Sequence, residues 1–475
     1  MYKKILYTIS IILLLIIYSC NNPKKVDKTG FVELVNNKFE IEGKVFFPMV
    51  LNYKVSLINK NNQMWPAPFT GYYNSIVENN LDKDSCLILL KSDFQTIKDM
   101  GFNSIRVVGI GEELCKIDDK DSDKYLNAIK DMYSIAKEVD LKVIFLLPMW
   151  PKQPELYEKY KALLIQEKEN KNILAYDFFN EPLYFDTVPG QRRKKDVYRI
   201  TKEWKEYMQE YSPKHLLTVG LASSKEVGVW DPNVLDVDFV SFHPYEYSDN
   251  LVLKEIYWYS KNVKKPWIIG ETSLSADNDS IPYSQQKDFA EKVIQQTING
   301  GGIGFSWWQY KDVEWGEDDF HSNYMGLVTR TGETQTSDTN LRIIGSLKDA
   351  VEVFKNFTYK QTDTVAVIPD NYYNSCSNKT CIIKGILYDE DTELPIINAT
   401  IVAWNKDWSK PFVTYTKNDG SFELYADTEL YQMRISASYY STIWYKTNIE
   451  SKYDITKKPI IIDVGKQYLE IAEID

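Results

Sequence analysis

Short apolar runs alternate with amphipathic stretches over most of the chain, and this alternation limits the possible folds more than any other feature. Each run is typical of a strand buried on both faces of a parallel sheet. Strand–helix alternation repeated about eight times predicts an α/β fold, a closed (β/α)8 TIM barrel, rather than an open sheet. With an N-terminal hairpin, this barrel is expected to cover residues 31–358. The predicted strands are Phe47–Tyr53, Ser104–Val108, Lys142–Leu147, Leu174–Phe179, Leu216–Gly220, Phe239–His243, Trp267–Gly270 and Ile303–Trp308.

Amphipathic stretches between these runs predict the helices that would surround the barrel. Their apolar residues recur with the spacing of one helix face. The predicted helices are Leu90–Met100, Tyr125–Val139, Glu155–Glu169, Val197–Tyr211, Ser284–Asn299 and Leu341–Phe357.

Polar side chains stand where several predicted strands end. The run Ile173–Phe179 ends in Asn180-Glu181-Pro182, and a second apolar run ends in Glu271. Taken singly, a strand-end Glu is often a helix cap, and an isolated Arg or His often has a structural role. Together they fall at the same end of their strands, where barrel enzymes place their chemistry. The candidate site residues are Arg106, Asn180, Glu181, His243, Tyr245, Glu271 and Trp308.

This order of motifs resembles the clan A glycoside hydrolases, especially the family 5 cellulase and mannanase group. In that group an Asn-Glu acid/base follows strand 4 and a Glu nucleophile follows strand 7, which Asn180-Glu181-Pro182 and Glu271 match. The resemblance implies a retaining enzyme that cleaves β-linked poly- or oligosaccharides of the mannan or glucan type, with no cofactor and no metal. The matching substrate-binding residues are Arg106, His243, Tyr245 and Trp308, with Trp307 as the alternative to Trp308. Many family 5 enzymes carry a His after strand 3, where this chain has Pro148-Met149-Trp150.

Hydrolysis that retains the configuration of the anomeric carbon needs one carboxylate nucleophile and one carboxylic acid. Glu271 and Glu181 are residues of the required type. Arg106 is expected to hold Glu271 ionised, because an opposite charge favours the charged form. Tyr245 is expected to donate a hydrogen bond to the same carboxylate. Glu181, facing that anion, is expected to have a pKa above the usual ~4.3.

Substrate contacts are expected from the remaining residues at the mouth. Asn180 would bind the sugar 2-hydroxyl, a contact that strengthens in the transition state. Trp308 would form the floor of the −1 subsite, and Trp150 or Trp65 would form outer platforms.

Two other functional classes remain open at this point. A degenerate barrel would give a non-catalytic carbohydrate-binding lipoprotein, although both Glu residues are present. A metal-dependent barrel enzyme would need three or more clustered ligands at the strand ends. The net charge of −11 argues against nucleic acid as a partner. The oligomeric state cannot be inferred.

The N-terminus predicts export. Lys3-Lys4 precede the apolar run Ile5–Ile17, which is too short to span a membrane and is typical of a signal peptide. The sequence Ile17-Tyr18-Ser19-Cys20 resembles a bacterial lipobox, which implies lipidation of Cys20. Residues 1–20 are therefore predicted to be a lipoprotein signal peptide and residues 21–30 a tether. The expected location is the periplasmic or cell-surface face of the outer membrane.

A change of pattern after the barrel predicts a second domain. Residues 359–380 are polar and predict a linker, and residues 381–475 have the pattern of a small all-β sandwich. Three segments resemble the carboxypeptidase regulatory-like domains, which are transthyretin-like: Gly385–Asp389, Pro395–Ala399 and Thr416–Phe422. Asn398 stands where those domains usually have a Gly. The resemblance implies a spacer or docking module that hydrolysis does not need.

Cysteine pairing stays open at the level of sequence. Cys376 with Cys381, and Cys86 with Cys115, are both possible in an exported protein.

Overall fold

The structure is a computed structural model. It describes residues 27–69, 80–148, 154–182, 193–246, 250–313, 315, 321–329, 334–337, 340–343, 345–360, 365–374, 376, 379–405, 411–426, 432–446 and 459–474. Cys20 and Trp150 lie outside these residues. None of the helices formed by the described residues has the length and hydrophobicity that crossing a membrane requires.

A closed parallel barrel forms the main body of the protein and confirms the predicted fold class. Neighbouring strands pair in parallel in the order β4-β6-β7-β8-β9-β10-β11-β12, and pairing of β12 with β4 closes the ring. β5 folds back antiparallel on an extension of β4 that the sequence did not indicate. Up to this point the strands are β1 (Glu33–Val35), β2 (Lys38–Ile41), β3 (Lys44–Val45), β4 (Met49–Lys60), β5 (Gln63–Pro68), β6 (Ser104–Gly109), β7 (Lys142–Leu146), β8 (Ile173–Asn180), β9 (Leu216–Leu221), β10 (Val240–Phe242), β11 (Trp267–Ile269) and β12 (Phe305–Trp307).

The helices pack around the barrel, with three departures from the predicted pattern. They are α1 (Lys83–Asp99), α2 (Ile110–Glu113), α3 (Ser122–Glu138), α4 (Pro154–Glu167), α5 (Lys194–Tyr211), α6 (Leu251–Asn262), α7 (Tyr283–Asn299) and α8 (Val351–Lys355). Neither α2 nor α6 was predicted from the sequence. The predicted helix Leu341–Phe357 was wrong over its first half, because Gly345 interrupts the pattern and only α8 is helical.

A small antiparallel sheet of β1, β2 and β3 closes the amino-terminal end of the barrel. Phe39 packs edge-on against Phe239, with ring centroids 5.0 Å apart. The same cluster contains Val50, Leu174 and Leu216 from the first halves of three barrel strands. One end of the barrel is thus filled by apolar side chains, and the carboxyl ends of the strands form the other end.

The C-terminal residues form two stacked sheets, in the order β18-β15-β21 and β17-β16-β19-β20, around their own apolar cluster. Val402, Val413 and Tyr415 instead belong to the cluster of the barrel. The remaining strands are β13 (Thr334–Ser337), β14 (Asn340–Ile343), β15 (Cys381–Asp389), β16 (Thr400–Trp404), β17 (Pro411–Tyr415), β18 (Ser421–Ala426), β19 (Gln432–Ser436), β20 (Ile443–Lys446) and β21 (Ile460–Leu469).

Candidate active site

The carboxyl ends of the barrel strands bring the predicted site residues together. Arg106 lies on β6, and Asn180 is the last residue of β8. Glu181 follows Asn180 directly, and Glu271 comes two residues after the end of β11. His243 and Tyr245 follow β10 in the same way, and Trp308 follows β12. Parallel strands share one direction, so all these ends open onto one mouth.

Arg106 is the centre of the hydrogen-bond network at this mouth. Its Nη1 lies 2.5 Å from Glu271 Oε1 and 3.0 Å from Asn52 Oδ1. Its Nε donates to Asp177 Oδ2 at 2.9 Å, and its Nη2 donates to Asn180 Oδ1 at 2.8 Å. A planar guanidinium with donors on three nitrogens can hold four acceptors in fixed directions, which a lysine cannot do.

Burial would by itself lower the pKa of Arg106, since its side chain is only 1% exposed. The charges of Asp177 and Glu271, and their hydrogen bonds, outweigh burial and raise the pKa above its ordinary value. Arg106 is therefore a permanent positive charge between two buried carboxylates.

Glu271 is held through both of its oxygens. Arg106 binds Oε1, and the Tyr245 hydroxyl donates to Oε2 at 2.6 Å. His243 Nδ1 lies 3.6 Å from Oε1. A carboxylate with a fixed cation on one oxygen and a donor on the other has a defined orientation towards the mouth.

Glu181 has a different environment, in which its side chain is 14% exposed. Burial raises the pKa of Glu181 to about 7, although the positive charges of Arg106 and Lys225 act in the opposite direction. The expected direction is correct, but the cause is removal from water rather than a facing anion. The Glu181 backbone has φ of +51°, which is uncommon for a residue with a side chain, and its N–H donates to Gly220 O at 2.8 Å.

His243 lies between the two carboxyl groups, with Nδ1 3.1 Å from Glu181 Oε1. Burial lowers the pKa of His243 to about 4, so the imidazole is neutral at pH 7. Its ring fits against Gly220 and Gly270, where an added Cβ would come within 2.5 Å and 2.9 Å of ring atoms. A larger residue at either position would displace the histidine.

Glu181, His243 and Glu271 form the kind of three-residue cluster that a metal site requires. One ligand atom from each lies within 4.8 Å of the others. The guanidinium of Arg106 already occupies one oxygen of Glu271, however, and Tyr245 donates to the other. A cation bound there would have to face an existing positive charge, so the donor set does not suit a metal ion.

Aromatic residues line one side of the mouth. Trp308 is half-buried and stacks on Trp315, with centroids 5.8 Å apart and an interplanar angle of 29°. Lys54 Nζ lies 4.7 Å from the centroid of Trp315. Trp307 instead packs in the core and donates from Nε1 to Met325 O at 3.0 Å. Of the two candidates, Trp308 is the one at the mouth.

The two proposed outer platforms have different outcomes. Trp65 is 4% exposed and packs against Cys86 and Ile58, so its interpretation as an exposed platform was wrong. It belongs to β5, which folds onto α1 instead of lining the mouth. Trp150 falls outside the described residues.

The sequence analysis missed two buried polar residues of the site. Asp177 lies in the middle of β8, where it also accepts from Gly220 N at 3.1 Å. Asn52, in β4, donates from Nδ2 to Gly270 O at 2.9 Å, to Ser306 Oγ at 2.8 Å and to Trp307 O at 3.1 Å. A polar residue inside an otherwise apolar strand was the available signal in both cases.

Comparison with known proteins agrees with this geometry. A family model described as cellulase (glycosyl hydrolase family 5) matches residues 78–314. No curated protein sequence matches the chain.

Several solved structures are similar to the chain at low identity. An exo-β-1,4-mannosidase from an Opitutaceae bacterium is 15% identical, with a TM-score of 0.49, covering 70% of this chain and 61% of that one. A β-D-glucuronidase of Dictyoglomus thermophilum is 13% identical, with a TM-score of 0.45, covering 68% and 52% respectively. A glycoside hydrolase family 5 mannosidase from Rhizomucor miehei is 12% identical, with a TM-score of 0.44, covering 69% and 96%.

Proposed function

Since the barrel of this chain belongs to glycosyl hydrolase family 5, we propose that the protein is a retaining glycoside hydrolase for β-linked poly- or oligosaccharides of the mannan or glucan type. The observation that carries this proposal is the closeness of two carboxyl groups at the mouth. One oxygen of Glu181 lies within 4.8 Å of one oxygen of Glu271. Retaining enzymes place their two carboxyl groups ~5–5.5 Å apart, whereas inverting enzymes separate them by ~6.5–9.5 Å to admit a water molecule.

In the first step Glu271 attacks the anomeric carbon. A bond forms between a carboxylate oxygen and that carbon, while the bond to the leaving oxygen breaks. Glu181 gives its proton to the leaving oxygen and becomes a carboxylate. In the second step Glu181 takes a proton from water, the water oxygen attacks the same carbon, and Glu271 leaves.

The surroundings of the two carboxyl groups support these roles. Arg106 and Tyr245 stabilise the negative charge that Glu271 needs as a nucleophile. Burial holds the pKa of Glu181 at about 7, so a large fraction of the molecules carry the proton near neutral pH.

Asn180 is proposed to bind the sugar 2-hydroxyl. Its Oδ1 accepts from Arg106, which leaves the amide N–H groups as donors to a ligand. Trp308, half-buried at the mouth, is proposed as the apolar floor on which a sugar ring stacks.

Export and lipidation are also proposed, on the strength of the N-terminal sequence. Lys3-Lys4, the apolar run Ile5–Ile17 and Cys20 would direct the protein to the outer membrane with a lipid anchor on Cys20. The test is incorporation of labelled palmitate in a bacterial host, which Cys20→Ala should abolish. Equal labelling of the variant would rule out this anchor.

The proposed activity is tested on protein made without residues 1–20. A panel of β-glucans, β-mannans and aryl β-glycosides should contain a substrate, and proton NMR should show the β-anomer as the first product. An α-anomer would contradict retention. Absence of hydrolysis across the panel, with a folded protein, would favour the non-catalytic binding alternative.

A further inference from the structure

Lys348 is a buried lysine whose three N–H groups all have acceptors. It lies shortly before α8, and its side chain is fully buried. Its Nζ donates to the carbonyl oxygens of Ala276 and Tyr324, each at 2.9 Å, and to Asp312 Oδ1 at 2.9 Å. An ammonium group has three donors and no acceptor, so these contacts use its full hydrogen-bonding capacity. Lys348 therefore holds three points of the chain together.

These three points lie in the segments that form the mouth of the barrel. Ala276 follows Glu271 in the segment after β11, and Asp312 follows Trp308 in the segment after β12. Tyr324 comes later in that second segment. One buried cation thus connects the segment that carries the proposed nucleophile with the segment that carries the proposed sugar platform.

Further hydrogen bonds close the segment after β12 into a loop. The Gly326 N–H donates to Asp312 Oδ1 at 2.7 Å, and the Ala276 N–H donates to Tyr324 O at 3.0 Å. A Cβ at Gly326 would lie 2.2 Å from the Asp312 backbone nitrogen, which leaves no room for a side chain. Lys348 is the charged side chain at the base of this loop, and Asp312 is its counter-charge.

The same loop supports the aromatic pair at the mouth. Asn323 Oδ1 accepts from the Trp315 backbone N–H at 2.7 Å. Trp315 stacks on Trp308, with ring centroids 5.8 Å apart. The Trp308 backbone N–H donates to Thr272 O, in the segment after β11, at 3.0 Å. A displacement of the loop base would therefore change the position of both rings.

The nucleophile is held without help from Lys348. Arg106, on β6, and Tyr245, in the segment after β10, bind the two oxygens of Glu271. Loss of Lys348 should therefore leave Glu271 in place and move the loop that supports Trp308.

We propose that Lys348 is a positioning residue, which sets the position of Trp308, and so of a bound sugar ring, relative to Glu271. The sugar-binding role of Trp308 rests on the proposed function. The effect of Lys348 on the position of Trp308 can be measured without activity. A lysine that only stabilised the fold would not act on this aromatic pair in particular.

Lys194 offers a matched control for this distinction. It is a second buried lysine, with 2% of its side chain exposed, and it donates to Asp231 Oδ2 at 2.9 Å. It begins α5, which follows β8, and β8 lies across the eight-stranded ring from β12. Both Lys348→Met and Lys194→Met leave a buried carboxylate without its cation, so both should lower stability. Only Lys348→Met should affect Trp308.

The direct test is fluorine NMR of protein made without residues 1–20 and labelled with 5-fluorotryptophan. The chain contains 12 Trp residues. Trp308→Phe and Trp315→Phe identify two of their signals by loss. Lys348→Met should shift both of these signals and leave that of Trp204, on α5, unchanged. Lys194→Met should leave the Trp308 and Trp315 signals where they are.

A second variant covers the case in which Lys348→Met does not fold. Asp312→Asn keeps the shape of the side chain and removes the charge that Lys348 faces. It should shift the Trp308 and Trp315 signals in the same way, by a smaller amount, because the two carbonyl acceptors of Lys348 remain.

Steady-state kinetics provide a second readout. Lys348→Met should reduce kcat/KM by roughly tenfold, because a displaced platform holds the sugar out of line with Glu271. If Lys348 acts through Trp308, combining Lys348→Met with Trp308→Ala should match Trp308→Ala alone. Any loss caused by Lys194→Met should instead multiply with that of Trp308→Ala.

The proposal is overturned if neither Lys348→Met nor Asp312→Asn shifts the Trp308 signal, or if Lys194→Met shifts it equally. It is also overturned if the losses of Lys348→Met and Trp308→Ala multiply. A protein that shows the expected fluorine shifts and hydrolyses no β-glycoside would contradict the proposed function, while the positioning of Trp308 by Lys348 would stand.

Discussion

Single residues give the two carboxyl groups different surroundings. Glu271 lies against the guanidinium of Arg106 and the hydroxyl of Tyr245, whereas burial dominates at Glu181 and raises its pKa to about 7. Two carboxyl groups in environments this different are suited to different roles.

The first prediction concerns the pH dependence that follows from Glu181. Because the acid must be protonated, and its pKa is about 7, kcat/KM for a substrate with a poor leaving group should fall as pH rises through about 7. His243, with its pKa lowered to about 4, should not contribute to this fall in kcat/KM. The measurement is kcat/KM between pH 5 and 9; a profile that stays flat through pH 8 would contradict the raised pKa of Glu181.

Glu181 and Glu271 could be located from the sequence because each follows an apolar run, whereas Arg106, which lies within β6, was located by its match to the family motif. For Asn52 and Asp177 the only signal was a polar residue inside an apolar strand, and it did not reveal their roles because their partners come from other strands. Asn52 lies 218 residues from Gly270, whose carbonyl it binds. Such contacts exist only once the barrel closes.

At the scale of elements, the β4–β5 hairpin and the segment after β12 show that the role of a tryptophan depends on the element that carries it. Trp65 and Trp308 look alike in the sequence as candidate sugar platforms. The first is buried beneath the hairpin with Cys86, and the second is half-buried at the mouth. The difference arises from the unexpected extension of β4, which turns β5 back onto α1.

These two tryptophans give a matched pair of substitutions. Trp65→Ala removes a core side chain and should lower the free energy of unfolding by ~3–5 kcal/mol. Trp308→Ala should leave that free energy nearly unchanged and reduce kcat/KM by roughly tenfold or more, equivalent to about 1.4 kcal/mol. Urea unfolding and steady-state kinetics on both variants check the assignment. A loss of stability from Trp308→Ala together with a loss of kcat/KM from Trp65→Ala would contradict the assignment.

At the scale of the whole molecule, two units pack against the barrel. The N-terminal sheet fills one end, the sandwich shares an apolar cluster with the barrel, and the opposite end is left for the site. The barrel class followed from the periodic pattern, since strand–helix alternation is local. The core shared with the sandwich could not be predicted, because nothing in the sequence distinguishes Val402 and Val413 from other residues of a β-strand.

The account also predicts independence from metal ions. The proposed chemistry uses only carboxyl groups, and Arg106 already provides the positive charge beside Glu271. Dialysis against EDTA should leave the rate of aryl glycoside hydrolysis within the error of the untreated protein. Loss of activity that a single divalent ion restores would instead favour the metal-dependent alternative.

The central claim is the division of roles between Glu271 and Glu181, and substitution with azide rescue separates the two. Glu271→Ala removes the nucleophile, so hydrolysis should fall by several orders of magnitude for every substrate. Azide in the space left behind would displace the leaving group once and give an α-glycosyl azide. Glu181→Ala should still form the intermediate from an activated aryl glycoside, with a burst of phenol, because such a leaving group needs little protonation.

Azide needs no base, so it should then attack the intermediate of Glu181→Ala and give a β-glycosyl azide after two inversions. Proton NMR of the azide products from the two variants is the most direct measurement. An α-azide from Glu271→Ala and a β-azide from Glu181→Ala are the expected result. The same anomer from both variants, or a β-azide from Glu271→Ala, would contradict the assignment of nucleophile and acid/base.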